Sequence, residues 1–206
     1  MRARFLGALR DREGRPPPAA RLPLRLLEKT PKNSLRVPFL ARAFPEARFL
    51  YLHRDPREVL SSMIEAWESE RFRTYPHLPG WSGPAWSMVL VPGWRELVGR
   101  PLHEIVAHQW AATTAMLLDD LGALPPERRL LVRYDTFLAN PEAEVRRLCG
   151  ELELAWDMTL TGDLPLSRFT VSKPAKDKWR RHEREIESVL PGLKPLLDRS
   201  AAFAAG

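Results

Sequence analysis

An apolar run followed at once by a helix start constrains this chain more than any other feature. Residues 48–53 read Arg-Phe-Leu-Tyr-Leu-His, which predicts a buried strand. Asp55 is a suitable N-cap and Pro56 is well tolerated at the first helical position, so a helix is predicted from Pro56 to about Trp67. Arg54 then lies at the carboxyl end of the strand, where ligands bind in open α/β sheets and where a helix N-terminus favours phosphate. The segment predicts a phosphate-binding corner.

Ser62 extends this corner along the predicted helix. It follows Arg54 by eight residues, which is about two helical turns. We expect the two side chains to converge on one anion, with the guanidinium donating charge-assisted hydrogen bonds and the hydroxyl a neutral one. A plainer alternative stays open, in which Arg54 forms an ion pair with a surface carboxylate beside a capped helix.

Composition limits the classes of function. The 206 residues, 44% hydrophobic and 28% charged, fit one globular domain with a core, and the net charge of +6 favours anionic ligands. The single cysteine, Cys149, excludes an internal disulfide and a cysteine zinc cluster, and the five histidines show no metal-ligand spacing. No apolar run reaches the length of a membrane span and no secretory signal is recognised, so the cytoplasm is the expected location.

The predicted elements alternate between strands and helices, which predicts a parallel α/β sheet. Residues 1–21 are expected to form a poorly ordered basic and proline-rich lead-in, residues 22–200 the domain, and residues 201–206 a tail. Besides the strand and helix above, we predict strands over 22–27 and 130–134 and helices over 34–43, 103–121, 135–149 and 179–199.

A long segment, residues 69–101, contains five prolines. A connection of that length in a compact domain predicts a lid or an acceptor-side binding loop. Its tryptophans Trp81, Trp86 and Trp94 have two interpretations, a cluster that packs the segment or part of an acceptor site, and packing is favoured.

Five motifs occur in a fixed order along the chain: Glu28-Lys29-Thr30-Pro31; Phe44-Pro45-Glu46; Arg54-Asp55-Pro56-Arg57 through Ser62; Val132-Arg133-Tyr134-Asp135 with Asn140-Pro141-Glu142; and Ser167 with Thr170-Val171-Ser172-Lys173-Pro174 and Lys178-Trp179-Arg180. This ordered set resembles a PAPS-dependent sulfotransferase of the bacterial or tyrosylprotein-sulfotransferase-like branch. PAPS is 3′-phosphoadenosine-5′-phosphosulfate, the sulfuryl donor.

The resemblance implies a fold, a co-substrate and a set of binding residues. The fold is a P-loop-NTPase-like three-layer α/β/α domain with a parallel sheet, and the co-substrate is PAPS, without a metal. By resemblance, Arg54 and Ser62 hold the 3′-phosphate, Tyr134 lines the nucleotide site, and Ser172 and Lys173 belong to a late loop that closes over the nucleotide.

Two departures from the family pattern affect the catalytic expectations. Pro31 occupies the place of the usual catalytic histidine, which leaves Glu28 as the nearest carboxylate for a general base and Lys29 as a side chain that could face the sulfonate. The glycine-bearing Pro-x-Ser-Gly-Thr-Thr loop that cradles the 5′-phosphosulfate is missing from the sequence. We therefore expect an N-terminally truncated sulfotransferase domain, with sulfuryl transfer to an acceptor hydroxyl or amine by the full-length parent and little turnover by this chain alone.

Two other classes of function stay open. One is a non-catalytic truncated paralogue that binds a nucleotide or a partner, with self-association through an exposed sheet edge. The other is nucleic-acid binding through the basic run 173–184. Acidic residues are interleaved with the basic ones and no nucleic-acid-binding motif is recognised, so no nucleic-acid partner is expected. The acceptor cannot be read from the sequence.

Overall fold

A computed structural model describes residues 25–156, 159–160, 164, 166, 170–173, 175 and 177–205. The chain divides into two units, residues 1–30 and residues 31–206. In the first unit, residues 25–30 form neither helix nor strand, so the strand predicted over 22–27 is wrong for residues 25–27. The predicted lead-in, residues 1–21, lies outside the described residues.

The second unit contains four strands and six α-helices within its described part. The strands are β1 (Phe49–His53), β2 (Arg73–Tyr75), β3 (Trp86–Ser87) and β4 (Arg129–Arg133). The α-helices are α1 (Val37–Ala43), α2 (Pro56–Glu68), α3 (Leu102–Gly122), α4 (Tyr134–Ala139), α5 (Pro141–Glu151) and α6 (Glu183–Phe203). Short 3-10 helices cover Pro31–Leu35, Trp94–Leu97, Pro126–Arg128 and Lys178–His182.

Strands β1 and β4 pair in parallel, with Phe49 opposite Arg129 and His53 opposite Arg133. They are connected through helices, as a parallel pair requires. The strand predicted over 48–53 and the helix that follows it are present, and an α/β class with parallel strands is confirmed. The burial predicted for this strand is wrong: alternate side chains point to opposite faces of the sheet, and Leu50 and Leu52 on one face are 44% and 51% exposed.

Two predicted helices are interrupted by proline. Pro38 lacks the N–H that would continue the helix predicted over 34–43, and the chain forms a 3-10 helix followed by α1. In the helix predicted over 135–149, Asn140 instead caps a new helix, with its side chain accepting a hydrogen bond from the backbone N–H of Ala143 at 3.2 Å and Pro141 at the first position.

Residues 69–101 are packed through their tryptophans. The ring of Trp86 is fully buried and lies 4.9 Å from that of Trp81, 5.3 Å from that of Trp67 and 6.2 Å from that of Trp94, measured between ring centroids. These edge-to-face contacts agree with the packing interpretation of the three tryptophans. We call Trp67, Trp81, Trp86 and Trp94 the tryptophan cluster.

Gln109 fastens this segment to α3. It is 1% exposed, accepts a hydrogen bond from the Trp67 indole at 2.8 Å, and donates to the carbonyl oxygens of Ser87 and Val89 at 3.0 and 2.8 Å. Both polar atoms of its side-chain amide are therefore hydrogen-bonded inside the core, as buried polar groups generally are. The lid or acceptor-side role of residues 69–101 stays a prediction.

The largest hydrophobic core lies beside the parallel strand pair, between α2, α3, α6 and the tryptophan cluster. Leu60, Ile64 and Trp67 recur at helical spacing on α2 and supply one side of it. Helix α6 also covers one face of the strands, where the Tyr51 hydroxyl lies 3.3 Å from that of Ser200. The fold thus packs the apolar face of α2 into this core.

Candidate functional site

The carboxyl ends of β1 and β4 meet at one corner, where α2 begins. Arg54 follows β1 directly, and Tyr134 follows β4. Asp55 caps α2, since its side chain accepts a hydrogen bond from the backbone N–H of Arg57 at 2.8 Å. The predicted strand, cap and helix therefore place the positive end of the helix dipole at this corner.

Arg54 and Tyr134, two of the predicted nucleotide-binding residues, are in contact here. The guanidinium carbon of Arg54 lies 4.8 Å from the centroid of the Tyr134 ring, within the range of a cation–π interaction. Its Nε donates a hydrogen bond to Oε2 of Glu58 at 2.9 Å, and both side chains of this pair are 31% exposed. The plainer interpretation of Arg54, an ion pair beside a capped helix, therefore describes this structure. The remaining exposure leaves the guanidinium within reach of a ligand.

Ser62 lies farther along the same helix. It is exposed and follows Glu58 by one turn, so the two side chains lie on the same face of α2. Eight residues of helix correspond to about 12 Å between Arg54 and Ser62 along the axis. The Arg54 side chain pairs with Glu58, which precedes Ser62 by four residues on this helix. The convergence of Arg54 and Ser62 on one anion stays a prediction.

His53 and Arg133 complete the corner. Burial lowers the pKa of His53 and the nearby Arg133 charge lowers it further, against the opposing influence of Asp135 and Asp55. Arg133 itself donates two hydrogen bonds to Asp135, at 3.3 and 3.0 Å. Arg133, paired with the exposed Asp135, thus lies near a histidine whose neutral form is favoured.

Ser172 and Lys173, predicted in the late loop, lie near the other end of α2. The Ser172 hydroxyl donates a hydrogen bond to Oε2 of Glu65 at 2.5 Å, and Lys178 and Arg181 form ion pairs with the same carboxylate at 2.8 and 2.5 Å. Lys173 is exposed. Ser167 and Pro174 of the same motif lie outside the described residues.

Glu65 is the residue that sequence reasoning missed. Its side chain is only 8% exposed, and burial raises its pKa, but hydrogen bonds from Lys178 and Ser172 and the charges of Lys178 and Arg181 outweigh that and lower the pKa overall. The available signal was a carboxylate set between Ile64 and the apolar pair Ala66-Trp67, on the buried side of an amphipathic helix. We call Glu65, Ser172, Lys178 and Arg181 the Glu65 cluster.

The predicted catalytic pair lies in the first unit. Glu28 and Lys29 are exposed and belong to the stretch 25–30. Their roles as general base and sulfonate contact stay predictions.

Two kinds of feature are absent from the described residues. Within them, no group of three His, Cys, Asp or Glu side chains is arranged to hold a metal ion. None of the helices described combines the length and the apolar character that crossing a membrane requires.

Comparison with known proteins identifies the family. The model of the sulfotransferase family matches residues 11–158. A solved structure, the sulfotransferase domain from the curacin biosynthetic pathway, is similar with 22% identity and a TM-score of 0.43, and the match covers 63% of this chain and 39% of that one. No match was found among curated proteins. Because the family model covers well over half of the sequence, this chain belongs to the sulfotransferase family.

Proposed function

We propose that this protein binds PAPS, or its product adenosine 3′,5′-bisphosphate (PAP), with the 3′-phosphate at the corner between β1 and α2. The observation that carries the proposal is the contact of Arg54 with Tyr134 at the carboxyl ends of two parallel strands. Such an edge is where open α/β sheets bind ligands. Arginine suits phosphate because its planar fork donates to two oxygens at once.

The reaction that we propose for the whole protein is sulfuryl transfer from PAPS to an acceptor hydroxyl or amine, in the bacterial or tyrosylprotein-sulfotransferase-like branch. The transfer breaks the bond between sulfur and the bridging phosphate oxygen and forms one to the acceptor atom, and a base removes the acceptor proton. Glu28 is our candidate base and Lys29 our candidate contact to the sulfonate. The sequence contains no Pro-x-Ser-Gly-Thr-Thr loop, so for these 206 residues alone we propose nucleotide binding with little turnover.

The test is calorimetric titration of the chain with PAP at low and at moderate salt, with Arg54→Ala beside the wild type. Loss of charge-assisted hydrogen bonds worth about 1.5–3 kcal/mol predicts an affinity about 10- to 150-fold lower. Binding should also weaken as salt rises, because the contact is between opposite charges near the surface.

Arg146→Ala is the matched control. Arg146 pairs with Glu142 across one turn of α5 and lies 5.4 Å from the Trp156 ring, which reproduces the ion pair and ring contact of Arg54 at a different place. Its removal should leave the affinity for PAP unchanged. Equal losses in both variants, or a folded wild type that does not bind PAP, would reject the proposed site.

A further inference from the structure

The edge of β1 that faces away from β4 pairs with no other strand in the part of the chain that the structure describes. There, β1 and β4 form a sheet of two strands. One face of β1 is open as well, because Leu50 and Leu52 are about half exposed. Leu130 and Val132, which lie opposite them on β4, are buried. An apolar strand with an open edge and an open face is a surface that another strand can extend.

The free edge of β4 is protected, in contrast to that of β1. Arg147 of α5 donates a hydrogen bond to the carbonyl oxygen of Leu131 at 2.7 Å. β4 also begins and ends with an arginine, Arg129 and Arg133. Charges, prolines and bulges are the usual means of blocking a strand edge, and residues 49–53 contain no proline and no Lys, Arg, Asp or Glu. Addition of a strand is therefore open at β1 and closed at β4.

The sequence of β1 is complementary to itself. If two β1 strands pair antiparallel about a two-fold axis at Tyr51, Leu50 of each copy lies opposite Leu52 of the other. Both leucines are on the open face, so the pair covers the apolar surface that each copy exposes. On the other face Phe49 meets His53, and burial lowers the pKa of His53 and so favours its uncharged ring.

Charges at the ends of the paired strands are complementary too. In this register the turn at Glu46 of one copy lies beside the first turn of α2 of the other, where Arg57 is exposed. Among the described residues neither Glu46 nor Arg57 has an ion-pair partner, and the positive end of a helix dipole favours an anion. Arg48 and Arg54 also come opposite each other, but each already forms an ion pair within its own copy.

We propose that β1 pairs with β1 of a second copy of this chain, which forms a four-stranded sheet in the order β4-β1-β1-β4 around a two-fold axis. The self-association expected from the sequence thereby gains an edge, a register and a symmetry. Two strands of five residues span about 17 Å, so the contact is smaller than the ~1,200 Å² at which standard interfaces begin. We therefore expect a weak dimer in equilibrium with the monomer.

Sedimentation velocity over a concentration series measures the association. The wild type should shift from monomer to dimer as its concentration rises and form nothing larger, because a two-fold contact closes on itself. Leu50→Lys combined with Leu52→Lys sets like charges opposite each other, so this variant should stay monomeric. Leu138→Lys is the matched control, since Leu138 is a leucine of α4 that is 47% exposed, and it should dimerise like the wild type.

Disulfide trapping tests the register, in a Cys149→Ser background that removes the one native thiol. Opposite residues of antiparallel strands have Cα atoms about 4.5–5.5 Å apart, within reach of a disulfide. A mixture of Leu50→Cys chains with Leu52→Cys chains should therefore give a crosslinked dimer that contains one of each. Either variant alone should crosslink far less, because identical positions are then about 8 Å apart, beyond the range of a disulfide.

Charge reversal tests the ends of the strands. Glu46→Arg alone and Arg57→Glu alone should each weaken the dimer about 2- to 5-fold, as expected for exposed ion pairs. The two changes together should restore the association.

Each result decides the inference. A wild type that stays monomeric at every concentration would overturn it. A dimer that survives Leu50→Lys with Leu52→Lys, or one that Leu138→Lys disrupts equally, would place the contact elsewhere on the molecule. Equal crosslinking of the single cysteine variants would exclude the two-fold register, and growth into species larger than a dimer would exclude a closed pair.

Discussion

The charged side chains at the two ends of α2 differ in how deeply they are buried. At its start, Arg54 and Glu58 form one ion pair in which each side chain is 31% exposed. Less than one turn before its end, Glu65 is 8% exposed and has Ser172, Lys178 and Arg181 around it. The Arg54–Glu58 ion pair adds little to the stability of the fold, since water competes for both charges. Around the Glu65 carboxylate, protein donors have replaced water as hydrogen-bond partners.

This difference separates residues that can bind a ligand from residues that hold the folded structure together. An exposed arginine with one partner can exchange that partner for a phosphate at small cost. A buried carboxylate with several partners has no such freedom, and its loss leaves cations uncompensated. The same helix therefore offers a ligand contact at one end and a structural anchor at the other.

Among these variants, Glu65→Ala should give the largest loss of stability. Removal of the carboxylate leaves Lys178 and Arg181 without their shared anion, which should lower the free energy of unfolding by about 3 kcal/mol. Arg54→Ala should lower it by less than about 1 kcal/mol, because that pair is exposed. Urea unfolding of both variants measures the contrast, and similar losses would show that the two ends are equivalent.

The pH dependence of stability should also follow Glu65. Its pKa is lowered in the folded protein, so it contributes stability above the pKa of an unfolded glutamate and loses it as pH falls through the lower folded value. Glu65→Gln should therefore make the unfolding free energy less dependent on pH on the acid side. Asp135 and Glu144 act in the same direction, so the difference between variant and wild type is the quantity to measure. A difference that does not vary below pH 5 would contradict the assignment.

Glu58→Gln sharpens the comparison at the exposed end. The Glu58 carboxylate competes with a phosphate for Arg54, so neutralising it should raise the affinity for PAP about 2- to 5-fold. Calorimetry at low salt measures this, with Glu142→Gln as the control for an ion pair of the same kind on α5. Weaker binding after Glu58→Gln would mean that Glu58 orients Arg54 for the ligand.

Tyr134→Leu should have an effect as small as that of Glu58→Gln, in the opposite direction. The cation–π contact with Arg54 is worth about 0.5–1 kcal/mol at an exposed site, which predicts PAP binding about 2- to 5-fold weaker. Trp156→Leu removes the corresponding ring beneath Arg146 and should not change the affinity. A loss as large as that of Arg54→Ala would indicate that Tyr134 contacts the nucleotide itself.

Local signals predicted the exposed end of α2 well. The apolar run before Arg54, the cap Asp55 and the first-turn Pro56 act within a few residues of one another, and the strand and helix they predict are both present. Arg54 and Tyr134 were predicted as members of one site, and their contact needed only the pairing of two strands in parallel.

The Glu65 cluster was beyond such reasoning because its partners are distant in sequence. The local pattern could mark Glu65 as a carboxylate on the buried side of α2, but its partners Lys178 and Arg181 lie more than 100 residues later in the sequence. The pairing of β2 with β3 was missed for a related reason, since strands of three and two residues are too short to show a period of two. Both depend on tertiary contacts that no local pattern records.

The tryptophan cluster has an optical consequence. Neighbouring rings lie 4.9–6.5 Å apart and are inclined by 58–77°, so their electronic transitions couple strongly and asymmetrically. The near-ultraviolet circular dichroism of this protein should therefore be dominated by paired bands of opposite sign from these indoles. That spectrum reports on the packing of residues 69–101 against α2 and α3.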